Sequence, residues 1–192
     1  MKKVLIYLHG FLSSPHSVKA QATKHYWQQN HTDIEFVCLQ LPYYPKEAQV
    51  LLDKLAQQYK GCQIGFIGSS LGGFLATYMV DNFGGRAVLI NPAAKPHEVL
   101  SDYLGEHTHP YTNERFTLQE NHMTELADMH QEKPLSPQNM WALLQTEDET
   151  LDYRDAAKKY ADAKLTIEEG GDHAFQGYQR FLPQIFEFLF PK

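Results

Sequence analysis

The chain has 192 residues, of which 43% are hydrophobic and 21% are charged, a composition typical of one globular domain rather than a disordered chain. Its formal net charge is −6 and no dense Lys/Arg cluster occurs, which argues against a nucleic-acid partner because such a partner requires a basic surface. The two cysteines are too few for a disulfide framework.

The N-terminus resembles a signal peptide only superficially. Lys2 and Lys3 precede the apolar run Val4–Leu8, which is shorter than the hydrophobic region of a secretory signal. No stretch approaches the roughly 20 apolar residues of a membrane-spanning helix. We therefore expect no membrane span and a cytoplasmic location.

Short apolar runs alternate with helical stretches along the chain. Runs of this kind, each ending in turn residues, are typical of strands covered on both faces of a sheet: they are Val4–Leu8, Ile34–Leu39, Gln63–Ile67, Arg86–Ile90, Met140–Gln145 and Lys164–Ile167. Helices are predicted at Ser17–Asn30, Ala48–Tyr59, Leu71–Phe83, Leu151–Ala163 and Tyr178–Phe190. This alternation predicts an α/β fold with a mostly parallel, doubly wound sheet of about six strands.

One segment interrupts the alternation. Residues from about 93 to 138 contain no convincing strand but several prolines and charges, with histidines at His97, His107, His109, His122 and His130. A connection this long inside a compact domain is usually functional or mobile. We expect a helical, cap-like insertion over the functional site, within a single domain that covers residues 1–192.

The motif Gly68-Ser69-Ser70-Leu71-Gly72 matches G-x-S-x-G with Ser70 at its centre. It follows a predicted strand and precedes a predicted helix, which is the context of a nucleophile elbow. Flanking glycines give the strained turn room, and the serine hydroxyl then lies near the positive end of the following helix. The pattern predicts Ser70 as a nucleophile.

A nucleophilic serine needs a base and an acid that orients the base. His173 follows the last predicted strand, at the edge of the sheet where Ser70 lies. Asp148 follows the fifth strand at the same edge and is our choice for the acid, with Glu147, Glu149 and Asp152 as alternatives. The order Ser70, Asp148, His173 is the one found in enzymes with a nucleophile elbow.

Acyl transfer also requires donors for the oxyanion of the transition state. The backbone N–H of Leu71, directly after the serine, is one candidate, and the N–H of Phe11, after Gly10 in the loop that follows the first strand, is the other. His9 is expected to be structural. No phosphate-binding glycine motif or metal-binding His/Cys framework is present, so we expect no metal and no cofactor.

With these motifs in place, the sequence resembles the small bacterial esterases of the YqiA type within the α/β-hydrolase superfamily. The resemblance covers nearly the whole chain and rests on Tyr7-Leu8-His9-Gly10-Phe11, Ser13-Ser14-Pro15, Gly68-Ser69-Ser70-Leu71-Gly72-Gly73, Asn91-Pro92-Ala93, Leu144-Gln145-Thr146, Asp148-Glu149, Leu151-Asp152-Tyr153, Glu169-Gly170-Gly171 and His173-Ala174-Phe175. It implies an α/β-hydrolase fold, a triad of Ser70, Asp148 and His173, and activity on acyl esters or acyl-CoA thioesters. Position 147 is acidic where the family pattern leads us to expect glycine.

The residues and the resemblance together predict a serine carboxylester hydrolase that works through an acyl-enzyme. The expected partner is a small-molecule ester or thioester. Two alternatives stay open: an acyl-CoA thioesterase or acyltransferase that uses the same triad, and a non-catalytic binding protein on the hydrolase fold. The sequence leaves the acyl chain length, the leaving group and the oligomeric state open.

Overall fold

The computed structural model describes residues 1–191 and contains a six-stranded sheet in the order β2-β1-β3-β4-β7-β8, with every neighbouring pair parallel. A separate antiparallel pair is formed by β5 and β6. In chain order the strands are β1 (Lys3–Leu8), β2 (Ile34–Val37), β3 (Gln63–Ser69), β4 (Arg86–Ile90), β5 (Gly105–Thr108), β6 (Arg115–Leu118), β7 (Met140–Gln145) and β8 (Lys164–Glu168). The six runs predicted as strands form the large sheet, which confirms the predicted fold class.

Helices connect the parallel strands. In chain order they are α1 (Val18–Asn30), α2 (Pro45–Gln58), α3 (Leu71–Phe83), α4 (Pro96–Val99), α5 (Glu120–Met129), α6 (Tyr153–Lys159) and α7 (Leu182–Leu189). Short 3₁₀ turns occur at Leu100–Tyr103, Pro137–Asn139 and Tyr178–Phe181. Within residues 1–191, no helix is both long enough and apolar enough to cross a membrane.

The two faces of the sheet carry separate cores, because successive side chains of a strand point to opposite faces. Val4 and Ile6 of β1 belong to the core formed with α2, α3, α5 and α6, whereas Leu5 and Tyr7 belong to the core formed with α1 and α7. Strands covered on both sides need apolar residues at every position, which is why these runs are continuous in the sequence.

The insertion, residues 93–138, differs from its prediction in one respect. It contains α4 and α5 as expected, but it also contains the hairpin of β5 and β6, where the sequence offered no convincing strand. Each strand is four residues long, too short for a clear period of two. His109 closes the hairpin, since its Nδ1 accepts the backbone N–H groups of Tyr111 and Thr112.

Side chains of the loop before α2 hold the insertion in place. The ring of Tyr43 stacks on Phe116 of β6 with a centroid distance of 4.6 Å, and Tyr44 stacks on His122 of α5 at 4.7 Å. Nε2 of the buried His109 lies 3.0 Å from the carbonyl oxygen of Ser13, in the loop after β1. The insertion therefore packs directly over the carboxyl ends of the first strands.

The first turn of α3 sits directly against the end of β1. A Cβ added at Gly72 would collide with the backbone carbonyls of Leu8 and His9. A Cβ added at Gly65 of β3 meets mainly the ring edge of Phe190, at 2.8 Å. Backbone cannot yield without moving the strand, whereas a terminal ring can rotate away.

We predict that Gly72→Ala lowers the free energy of unfolding by more than the roughly 1–3 kcal/mol typical of overpacking. Gly65→Ala is the matched control and should cost less, because only a side chain obstructs it. Urea unfolding followed by circular dichroism measures both. Equal losses for the two variants would contradict the close approach of α3 to β1.

Candidate active site

Ser70 occupies a strained turn between β3 and α3. Its backbone φ is 57° and its ψ is −121°, a conformation that costs a residue with a side chain on the order of 1–3 kcal/mol. The Ser70 N–H donates to the carbonyl of Ile90 at 3.0 Å, and the Ser70 carbonyl accepts N–H groups from Gly73 at 2.9 Å and Ala93 at 3.1 Å. These bonds hold the turn, so the Ser70 hydroxyl projects from the carboxyl edge of the sheet.

The three residues predicted as nucleophile, base and acid lie in one chain of hydrogen bonds. Nε2 of His173 is 3.1 Å from the Ser70 hydroxyl, and Nδ1 of His173 is 2.8 Å from Oδ2 of Asp148. With the proton assigned to Nδ1, that N–H donates to the carboxylate and Nε2 accepts from the hydroxyl. Asp148 is buried, with 2% of its side chain exposed, while His173 is 24% exposed.

The structure separates Asp148 from the alternative acids. Oδ1 of Asp148 also accepts the backbone N–H groups of Thr150 at 2.9 Å and Leu151 at 2.8 Å, which orients the carboxylate toward His173. Glu147 is exposed, and Asp152 caps α6 and pairs with Arg154. Only Asp148 among these carboxylates contacts the imidazole of His173.

Glu149 has a different role in the same loop. Its Oε2 accepts the backbone N–H of His173 at 2.9 Å, so it contacts the main chain of the histidine rather than the ring. This acceptor helps to hold the loop that carries the imidazole.

Two further polar residues, each at the end of a strand, make several hydrogen bonds to the backbone of the His173 loop. Gln145 ends β7 and is 3% exposed. Its Oε1 accepts the backbone N–H groups of Asp172 at 3.2 Å and Gln176 at 2.8 Å. Its Nε2 donates to the carbonyl of Gln176 at 2.9 Å. The side-chain amide of Asn91 donates to the carbonyls of Asp172 at 3.0 Å and His173 at 3.2 Å. Neither residue is predicted from the sequence to have this role, although a polar residue at the end of a buried apolar strand is a signal that could have identified it.

The residues of the two predicted oxyanion donors share a pocket with Ser70. Phe11 and Leu71 line the same pocket as Ser70 and His173. Among residues 1–191, neither of their backbone N–H groups donates to a protein acceptor. A Cβ at Gly10 would lie 3.3 Å from Cβ of Ser70, so glycine lets this loop approach the nucleophile closely.

His9 fixes the loop that carries Phe11. Its Nδ1 donates to the carbonyl of Gly10 at 2.9 Å, and its Nε2 accepts the N–H of Leu41 at 3.0 Å. Burial lowers the pKa of His9 to about 4, so the ring is neutral at pH 7 and keeps this pairing. The contacts agree with a structural role for His9.

Two cavities open on either side of Ser70. The first has a volume of about 180 Å³ and mostly apolar walls that include Val99 and Leu100 of the insertion and Leu151. The second, about 470 Å³, has mixed walls that combine apolar surface with the polar side chains of Lys19, Asp172 and Gln176. Both cavities reach Ser70, and the second offers more polar groups than the first.

Three histidines of the insertion contact neighbouring backbone groups. His109 ties the hairpin to Ser13 as described, Nε2 of His107 lies 2.6 Å from the carbonyl of Tyr103, and Nδ1 of His122 accepts the N–H of Gln119 at the start of α5. In the part of the chain that the structure describes, no group of three or more His, Cys, Asp or Glu side chains could hold a metal ion.

We predict that Gln145→Ala frees the His173 loop, because the backbone N–H groups of Asp172 and Gln176 then lose their acceptor. The loss should cost about 1–3 kcal/mol of stability and raise amide hydrogen exchange in residues 172–176. Gln179→Ala, at an exposed position just beyond the loop, is the control and should leave exchange unchanged. Unaltered exchange in Gln145→Ala would contradict the positioning role.

Several solved structures share the fold of this chain at low sequence identity. Est1E from Butyrivibrio proteoclasticus is 15% identical with a TM-score of 0.68, over 97% of this chain and 86% of its own. Alpha/beta hydrolase domain-containing protein 10 from mouse is 16% identical with a TM-score of 0.68, over 96% of this chain and 88% of its own. A monoacylglycerol lipase from Paleococcus ferrophilus is 11% identical with a TM-score of 0.67, over 96% of this chain and 94% of its own.

At these identities the similarity establishes the fold, which is the α/β-hydrolase fold expected from the motifs. A family model matches residues 4–190, and this match confirms the family resemblance seen in the sequence. The chain belongs to the family described as Uncharacterised protein family (UPF0227).

Proposed function

We propose that this protein is a serine carboxylester hydrolase that cleaves esters of apolar acids through an acyl-enzyme on Ser70. The observation that carries the proposal is the hydrogen-bonded chain from the Ser70 hydroxyl through His173 to the buried Asp148 carboxylate. Serine hydroxyls become nucleophilic when an oriented imidazole can take their proton.

In the proposed reaction, Oγ of Ser70 attacks the ester carbonyl carbon while its proton passes to Nε2 of His173. The Asp148 carboxylate stabilises the imidazolium that forms. The N–H groups of Phe11 and Leu71 donate to the oxyanion, and their lack of protein acceptors among residues 1–191 leaves them available for this purpose.

Collapse of the tetrahedral intermediate breaks the bond to the alcohol, whose oxygen receives the proton from Nε2. A water molecule then adds to the acyl-enzyme and gives a proton to Nε2. The bond to Oγ breaks, Nε2 returns the proton to Ser70, and the carboxylic acid leaves. No other group is needed for these steps.

The two cavities suggest how a substrate is oriented. The apolar pocket of about 180 Å³ suits the acyl chain, because transfer of apolar surface out of water favours binding. The second cavity, whose mixed walls include Lys19, Asp172 and Gln176, suits the alcohol, which is the part of an ester that carries further hydroxyl groups. Since Val99 and Leu100 come from the insertion, we propose that the insertion acts as a cap that shapes the acyl pocket.

The roles of the nucleophile and its base can be tested by substitution. Ser70→Ala and His173→Ala should each lower kcat for 4-nitrophenyl butyrate by about 10⁴–10⁶-fold, and both should abolish labelling by a fluorophosphonate probe. Ser69→Ala removes the hydroxyl of the preceding residue and is the matched control. Mass spectrometry should locate the adduct on Ser70, and normal turnover by Ser70→Ala would disprove the assignment.

The acid is tested in the same assay. Asp148→Asn should lower kcat by about 10³–10⁴-fold, because the amide cannot stabilise the imidazolium and favours the wrong tautomer. Glu147→Gln is its control and should retain activity, since the Glu147 side chain is exposed. A larger loss in Glu147→Gln would move the role of acid to Glu147.

A further prediction concerns the acyl pocket. Val99→Phe fills part of the pocket, so kcat/KM for 4-nitrophenyl octanoate should fall about tenfold relative to the acetate, in line with the roughly 1–3 kcal/mol that separates fitted from misfitted apolar groups. Val50→Phe, at a position on α2 that is 42% exposed, is the matched control. An unchanged octanoate-to-acetate ratio in Val99→Phe would place the acyl chain elsewhere.

A further inference from the structure

A second polar cavity lies apart from Ser70, where α6 packs against the start and the end of the insertion. It has a volume of about 200 Å³ and shares no lining residue with the apolar pocket beside Ser70. Its walls contain four lysines but only two carboxylates: the lining residues are Ala94, Lys95, His130, Glu132, Lys133, Asp155, Lys158 and Lys159. The balance of formal charge around the cavity is therefore positive.

Lys159 forms the inner wall of this cavity. The residue is only 7% exposed, and its Nζ donates to the carbonyl of Ala94 at 2.9 Å and lies 3.1 Å from Nδ1 of His130. Two of the three ammonium donors are thus used by neutral groups. Buried charges are normally paired, and within residues 1–191 no carboxylate oxygen comes within 4.0 Å of this Nζ.

Two carboxylates near Lys159 contact other groups, although Oδ2 of Asp81 has no hydrogen-bond partner among residues 1–191. Oδ1 of Asp81 accepts the backbone N–H groups of Leu135 and Ser136, each at 3.0 Å. Oε1 of Glu132 lies 3.6 Å from Nε2 of His130. Both acids raise the pKa of Lys159 from a distance, but burial is the larger effect and lowers that pKa to about 8.

Two of the three rim lysines are paired with carboxylates that lie outside the cavity lining. Lys95 pairs with Glu98 at 3.0 Å, and Lys133 contacts Asp162 at 3.4 Å. The ammonium of the exposed Lys158 has no carboxylate within 4.0 Å among residues 1–191. One cation deep in the cavity and one at its mouth thus lack a close counter-charge.

We propose that this cavity is a binding site for a small oxyanion of the phosphate class, with the Lys159 ammonium at its inner end and Lys158 at its rim. The bound oxyanion supplies the counter-charge that the protein does not, and charge-assisted hydrogen bonds to it are among the stronger ones that lysine makes. An anion with several oxygens also suits the cavity, because two lysines without a close carboxylate line it.

The site adjoins the nucleophile through the main chain without being part of it. Lys159 donates to the carbonyl of Ala94, and the neighbouring Ala93 N–H donates to the carbonyl of Ser70. The inference does not depend on the proposed hydrolase activity, because the donors that it uses are absent from the proposed mechanism.

The test is titration calorimetry with inorganic phosphate at constant pH, with potassium chloride used to keep the ionic strength equal. The unmodified protein should bind one phosphate saturably. Lys159→Met, which keeps the volume and removes the charge, should weaken binding by about tenfold or more, the effect expected for a hydrogen bond to a charged group. Lys158→Met, at an exposed position, should weaken it less and tests the rim without disturbing the core.

Lys54→Met on α2 is the matched control: it removes an exposed lysine outside the cavity and should bind phosphate normally. Ser70→Ala should also bind normally, which separates this site from the proposed oxyanion hole. Absence of saturable binding would overturn the proposal, as would full affinity in both Lys159→Met and Lys158→Met. Displacement of phosphate by a fluorophosphonate on Ser70 would also overturn it, by placing the anion at the nucleophile.

Discussion

The strained backbone of Ser70 is the constraint on which the rest of the site depends. A residue with a side chain adopts φ of 57° only when its surroundings hold it there. Here the holding groups are the carbonyl of Ile90 and the N–H groups of Gly73 and Ala93, which come from β4, α3 and the start of the insertion. The elbow is thus stabilised by the sheet and by the segment beside the pocket, and these must form before the hydroxyl can point at His173.

Close backbone contact makes this arrangement possible. The start of α3 touches the end of β1 at Gly72, so the N-terminal end of the helix and the loop after β1 lie on the same side of Ser70. The two N–H groups proposed to bind the oxyanion come from these two elements. A larger residue at position 72 would separate them, which gives the second glycine of the motif a function beyond turn formation.

Histidine has several different roles in this protein. His173 is partly exposed and lies between the Ser70 hydroxyl and the Asp148 carboxylate, and we propose that it transfers the proton of the serine. His9 is buried and neutral, and serves to hold two loops together. His130 accepts from a buried lysine at the second cavity. Burial and hydrogen-bond partners, rather than residue type, separate these roles.

The insertion and the sheet also differ in how their stability arises. The sheet is held by apolar side chains on both faces. The hairpin of β5 and β6 depends more on specific polar and aromatic contacts, such as His109 with Ser13 and Tyr43 with Phe116. Contacts of this kind join residues that are far apart in the chain, so the local periodicity of the sequence does not predict them.

The sequence by itself determined the six strands and the helices between them, since continuous apolar runs are the mark of strands buried on both faces. It also indicated that Ser70, His173 and an acidic loop share one edge of the sheet, because parallel strands bring their carboxyl ends to the same edge. The G-x-S-x-G spacing was sufficient to identify Ser70 as the elbow residue.

Only the tertiary structure decided which side chains contact one another across segments that are far apart in the chain. Asp148 is distinguished from Glu147 and Glu149 because its carboxylate oxygen is the one that contacts Nδ1 of His173. Spacing along the chain does not predict a contact at this level of detail. The hold of Gln145 on the His173 loop, the hairpin in the insertion and the burial of Lys159 likewise arise between segments that meet only after folding. Local pattern specifies elements and their order, whereas side-chain partners are set by packing.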